Sequence, residues 1–140
     1  MPAGRGLWSA FWLLNGYYNE DQPEDPEIDI IEAIGDRVTT ANHAYHYGSP
    51  AGRMSREFRT PMPDFSADFH TYAVDWSPGR IIYFIDGQET HRIEGPEVSS
   101  EQMYLIANLA VGGDFPGAPD ETTVFPATFE LDYIRVWQRF

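Results

Sequence analysis

Three acids fall within six residues of one another: Glu27, Asp29 and Glu32, in the run EIDIIE. In a strand, side chains two apart share a face. Glu27 and Asp29 therefore point one way, Ile28 and Ile30 the other. Ile31 breaks the alternation. Strict register would send Glu32 to the apolar face, where an unpaired carboxylate costs several kcal/mol or takes a large pKa shift. A β-bulge at Ile30-Ile31 removes the conflict, because one extra residue flips the parity and returns Glu32 to its companions. Like charges in a row repel, so a function accounts for the row more simply than stability does. The chemistry that wants it is glycoside hydrolysis with retention, which needs a nucleophile and an acid/base about 5–5.5 Å apart. Glu27 and Glu32 must lean together to reach that distance. Asp29, between them, can hydrogen-bond the nucleophile and help keep Glu32 protonated. Spacing alone also fits solvent-facing acids on an edge strand.

Helical periodicity is nearly absent from the elements that must hold this set. The first strand runs from Gly6 to Leu14, with Leu7, Phe11 and Leu13 on one parity and Trp8, Ala10 and Trp12 on the other. An acidic loop, Asn19 to Pro26, leads to the strand Glu27–Ile34; its Glu20, Asp21, Glu24 and Asp25 read as a solvated rim. Val38 to Tyr47 pairs back against that strand. Gly48 to Arg53 reads as turn, and Pro61 and Pro63 mark a loop. Strands follow over Phe69–Trp76, Arg80–Ile85 and Gln88–Ile93, punctuated by Ser77-Pro78-Gly79 and by Asp86-Gly87, a strong hairpin signal. Gly95 to Gln102 is a loop with room for one helical turn. Met103–Val111 is nearly all apolar and is expected to be buried on both faces. After a long loop, Gly112 to Pro126, the alternating segment Thr128–Gln138 is expected to close the chain as a strand. This pattern predicts an all-β sandwich or jelly roll.

Bulk properties narrow the partners. The 140 residues predict one domain with a sizeable core. A net charge of −13 with nine Lys and Arg argues against nucleic acid, which is held by neutralising phosphates. It also disfavours anionic membranes and, more weakly, sulfated polymers; a neutral polymer meets no such penalty. The absence of Cys excludes disulfides, thiolate zinc sites and cysteine nucleophiles. No apolar run approaches the roughly 20 residues of a membrane helix. The opening MPAGRGLW is not a signal peptide, so export would need a leader upstream.

Further side chains carry two readings each. Trp8 and Trp12, four apart in a strand, form either a stacking platform for sugar rings or part of the core. His46 is a ligand-side or a turn histidine. His43, three residues away, faces oppositely, which disfavours a two-His metal site. Asn108 interrupts an apolar strand, where a buried amide needs partners: a substrate hydroxyl, the catalytic set, or a loop.

EIDIIE resembles the active-site signature of glycoside hydrolase family 16, in its bulged form. GLWSAFWLL resembles the family's GLWPAFW segment, with Ser9 where Pro is usual. FHTYAVDWSPGRIIYFIDG is similar to its central hairpin, and YLIANLAVGG and FPATFELDYIRVW to its closing strands. The likeness runs from Ala3 to Gln138. It implies a concanavalin A-like jelly-roll sandwich with a concave cleft, Glu27 as nucleophile, Glu32 as acid/base and Asp29 as assisting carboxylate. It places Trp8 and Trp12 at inner donor-side subsites and His46 beside the acid/base, bonding Glu32 or the sugar. It implies that Asn108 meets the substrate or the catalytic set, and that Phe115 stands at a stacking position often held by Trp. Asp132 matches a contributor to a structural calcium site whose other ligands would come from upstream. The opening resembles a point inside the family domain, so residues 1–140 are expected to be the C-terminal larger part of one catalytic domain. The implied activity is retaining endo-hydrolysis of β-1,3-glucan, without a cofactor for the chemistry, by an extracellular or periplasmic monomer. Hydrolysis of an agar-like galactan and non-catalytic glucan binding are the competing readings.

Overall fold

The computed structural model describes residues 1–16, 26–49 and 52–138. The acidic-loop residues Glu20, Asp21, Glu24 and Asp25 lie outside them. The described residues form eight strands: β1 (Leu7–Asn15), β2 (Glu27–Ile34), β3 (Thr40–Ser49), β4 (Gly52–Pro61), β5 (Tyr72–Ser77), β6 (Arg80–Ile85), β7 (Gln88–Glu94) and β8 (Met103–Val111). They form a five-stranded sheet in the order β4-β3-β2-β1-β8 and a three-stranded sheet in the order β5-β6-β7. Neighbouring strands are antiparallel throughout. No helix occurs among the described residues. The all-β expectation holds; the helical turn allowed between Gly95 and Gln102 does not form.

Turn chemistry fixes the small sheet. Asp86 and Gly87 both take positive φ, 50° and 75°, as a two-residue hairpin turn of the primed type requires. At the β5–β6 turn, Ser77 opposes Arg80, with Pro78 and Gly79 (φ 77°) between them.

The core lies between the sheets. Ile28, Ile30 and Tyr45 from the large sheet meet Ile81, Tyr83 and Ile93 from the small one. The Tyr83 hydroxyl donates to the Ala44 carbonyl at 2.8 Å, tying the layers together with a satisfied polar group.

The bulge in β2 is real. Against β3, Asp29 opposes Ala44 and Glu32 opposes Asn42, so three steps on β2 match two on β3. Against β1, Phe11 opposes Ile31 and Trp12 opposes Asp29. Ile30 is the extra residue. Ile30 and Ile31 are both buried, in adjoining parts of the core, and Glu32 is released to the other face.

Three expectations fail. Gly48 to Arg53 was read as turn, Pro61 as loop and the residues between were given no element, yet Gly52–Pro61 is a strand. β8 was expected to be covered on both faces, yet Tyr104, Leu105 and Val111 are exposed. It ends its sheet, with β1 as its sole ladder neighbour among the described residues. The expected strand Thr128–Gln138 has no strand structure, because no strand lies beside it among the described residues to complete a ladder. Leu131, Tyr133, Ile134, Val136 and Trp137 remain exposed there.

Candidate active site

Cross-strand pairing puts the acids on one face of the large sheet. Directly opposed residues share a face, so Asn108, Ala10, Glu32, Asn42 and Arg59 form one row across all five strands. A second row runs Trp12, Asp29, Ala44, Glu57, and a third places Glu27 beside His46 and Ser55. Alanines beside Glu32 and Asp29 leave the floor open. The result is a cleft of about 410 Å³ lined by Trp8, Trp12, Glu27, Asp29, Glu32 and His46 among others.

Each acid has a different environment. Glu27 accepts from Arg53 Nη2 at 2.9 Å and lies 3.7 Å from His46 Nε2, contacts that fix its orientation. Asp29 is almost fully buried, with its Oδ2 3.1 Å from His46 Nε2. Burial pushes the Asp29 carboxyl well above the usual aspartate range, against the pull of the His46 hydrogen bond. Glu32 is pushed up to about 8, by burial first and then by the charge of Asp29; His46 opposes this, Glu27 adds to it, and the Trp8 indole N–H pulls slightly down. Burial alone would lower His46; its hydrogen bond to Asp29 and the charges of Asp29 and Glu27 outweigh burial and hold it above its ordinary value.

Glu32, pushed up to about 8, therefore holds a proton at neutral pH beside a Glu27 oriented by Arg53 and His46, and a protonated carboxyl next to the attacking group is what a general acid requires.

Most sequence-derived candidates converge here. Trp8 and Trp12 both face the cleft. Trp8 meets Phe115 edge to face, with centroids 5.5 Å apart. Trp12 Nε1 donates to Asn108 Oδ1 at 2.9 Å. Asn108 is exposed, so no buried amide's need explains its partner; Trp12, two residues along β1 from the Ala10 that opposes Asn108, reaches it diagonally. His46 was expected to bond Glu32 or a sugar; its carboxylate partners are Asp29 and Glu27 and not Glu32, since the register sets it opposite Glu27. His43 faces the core, as its parity requires. Asp132 stands apart, sharing with Asp68 a cavity of mostly apolar walls. Calcium takes six to eight oxygens. Among the described residues the side chains gathered in metal-ligand reach are Glu27, Asp29 and His46, not Asp132, whose further ligands the resemblance places upstream.

Arg53 and Asn42 escaped the sequence reading. Arg53, Ser55, Glu57 and Arg59 share one parity of β4, and that polar alternation was the available signal. Asn42 donates from Nδ2 to the Glu32 carbonyl at 2.9 Å, a backbone contact that spacing does not announce.

Known proteins carry the same architecture. The endo-β-1,3-glucanase of Pyrococcus furiosus superposes with a TM-score of 0.75 at 36% identity, over 90% of this chain and 53% of that one. The laminarinase catalytic domain of Thermotoga maritima superposes with a TM-score of 0.73 at 34% identity, over 89% and 55%. A glucan endo-1,3-beta-glucosidase of Cryptopygus antarcticus is 33% identical over 98% of this chain and 58% of its own length. The chain thus spans little more than half of each of these relatives. Residues 1–134 match the profile of the glycosyl hydrolases family 16, and with the bulged acidic strand in its cleft the chain belongs to that family.

Proposed function

We propose that this protein is a retaining endo-hydrolase of β-1,3-glucans. The observation that carries the reading is the geometry of one cleft: the β2 bulge turns Glu32 to the face of Glu27, Arg53 holds Glu27 at 2.9 Å, and burial pushes Glu32 up to about 8. Glu32 gives its proton to the glycosidic oxygen as Glu27 attacks the anomeric carbon, and the leaving chain departs as an alcohol. The resulting ester on Glu27 is hydrolysed by water, whose proton returns to Glu32, so the anomeric configuration is kept. Asp29 and His46 hold Glu27 in line and supply charge beside it. Trp8, Phe115 and Trp12 offer aromatic surface for neutral sugar rings. The names of the relatives, β-1,3-glucanase and laminarinase, support the linkage.

The test is release of reducing ends from laminarin, lichenan and agarose. Laminarin is cut and agarose is not. Glu27→Gln and Glu32→Gln each lower laminarin kcat by about 1,000-fold or more. The alkaline limb of the parent profile falls through about pH 8 as Glu32 loses its proton. Either variant retaining activity within about tenfold of the parent overturns the reading.

A further inference from the structure

The bulge that frees Glu32 leaves backbone groups outside the regular ladder. Ile30 has no ladder partner on either side, as the registers with β1 and β3 both skip it. A buried carbonyl without a partner is costly. Two adjacent side chains of β3 supply donors, one from each face of the sheet. From the core face, His43 Nδ1 bonds the Ile30 carbonyl at 2.6 Å. From the cleft face, Asn42 Nδ2 donates to the Glu32 carbonyl at 2.9 Å. Resting on the function proposed above, we infer that Asn42 and His43 are positioning residues: a two-faced clamp that locks the β2 bulge and so fixes where the Glu32 carboxyl points.

The chemistry of His43 argues for this role. Burial lowers its pKa and keeps the ring neutral. A carbonyl acceptor at Nδ1 requires the hydrogen to sit there. Nε2 is then a bare acceptor, and it is buried with no hydrogen-bond partner. Its surroundings are aromatic: Tyr83 lies 5.2 Å from the ring and His91 5.9 Å, and Phe58 stacks on His91 at 4.5 Å. A phenyl ring would fill that space without orphaning a nitrogen. What a phenyl ring cannot do is donate to Ile30. The donor is what the position keeps, at the expense of an unsatisfied atom.

Asn42 is placed with similar economy. It is the cross-strand partner of Glu32, so its amide reaches the main chain of the residue whose side chain performs the proton transfer. Without the pair, the strand can relax toward a regular pleat. A one-residue slip turns every later side chain to the opposite face, Glu32 included. The clamp thus converts two unexceptional β3 side chains into the determinant of acid/base geometry.

The test uses the full chain and two substrates. Laminarin needs its leaving oxygen protonated, whereas the leaving group of 2,4-dinitrophenyl β-laminaribioside departs without an acid. His43→Phe keeps the ring and deletes the donor; it is expected to lower laminarin kcat about 100-fold, the scale of a misplacement of about 1 Å, with KM within about twofold. Pre-steady-state release of dinitrophenol stays within about threefold of the parent. His43→Asn, whose amide nitrogen falls near the Nδ1 position, restores laminarin kcat to within about tenfold. Asn42→Leu reproduces the split from the other face. In ¹³C NMR of the labelled Glu32 carboxyl, both donor deletions move its titration midpoint away from that of the parent. Equal loss on both substrates, no rescue by Asn, or an unmoved Glu32 midpoint overturns the clamp. Should His43→Phe fail to fold, as judged by circular dichroism, Asn42→Leu decides by the same split. If Glu32→Gln is inactive while both donor deletions keep the parent kcat, the clamp alone is wrong. If Glu32→Gln remains active, the underlying function is wrong.

Discussion

β2 and β8 pair with opposite edges of the same strand, β1, and both read as largely apolar, EIDIIEAI and MYLIANLAV. Their surroundings differ completely. β2 has β1 on one side, β3 on the other and the small sheet behind it, and Ile28, Ile31 and Ile34 are all 0% exposed. β8 has one neighbour, and Tyr104, Leu105 and Val111 are 47%, 36% and 53% exposed. Burial is therefore a property of neighbours and not of an apolar run. The site is built on the part of the sheet that has them. A bulge is tolerable there because packing and the β3 side chains over-determine it, and a raised carboxyl pKa is attainable because water is kept away.

The comparison breaks most visibly in stability. Ile28→Ala opens a cavity beneath the catalytic strand and should cost about 3 kcal/mol in urea unfolding; Leu105→Ala on β8 should cost less than about 1 kcal/mol. Equal losses would show that β8 is as well packed as β2. A smaller effect, of opposite sign, belongs to the site. Folding raises Glu32 from the ordinary glutamate range to about 8, so between those values the folded chain holds a proton that the unfolded chain has lost. Stability then falls as pH rises through that window. Glu32→Gln removes the liability and should stabilise the chain by about 1–2 kcal/mol at pH 8 while abolishing turnover; no gain at pH 8 over pH 4 would contradict the raised pKa. The smallest effect is at the other end. Val136→Ser should change unfolding free energy by no more than about 0.5 kcal/mol, yet reduce self-association measured by light scattering, because a run of exposed apolar side chains is an association surface.

The sequence was informative where a local rule has one physical outcome. Ile30-Ile31 followed by Glu32 left a bulge as the low-cost solution, and the bulge is there. Asp86-Gly87 demanded a hairpin. Trp8 and Trp12 share a face by parity alone. It was misleading where the outcome depends on a neighbour. Met103–Val111 can be buried on both faces, but whether it is depends on strands the run does not describe. Thr128–Gln138 alternates correctly, yet alternation forms no ladder without a partner. β4 was hidden for the converse reason: RMSREFRT is polar because one face lines the cleft and the other is half-exposed, so the apolar signal of a strand is weak. His43 was read correctly as facing away from His46, but its bond to Ile30 was illegible, since the acceptor exists only once the bulge has formed.

The central claim is that Glu27 attacks while Glu32 exchanges the proton, and trapping the covalent intermediate tests it most directly. The chain is incubated with 2-deoxy-2-fluoro-β-laminaribiosyl fluoride, whose good leaving group and slowed hydrolysis let the ester accumulate, and is then digested and sequenced by mass spectrometry. The account predicts one equivalent of the fluorosugar esterified to Glu27. An adduct on Asp29 or Glu32, or inversion to a free sugar with no adduct, would contradict it.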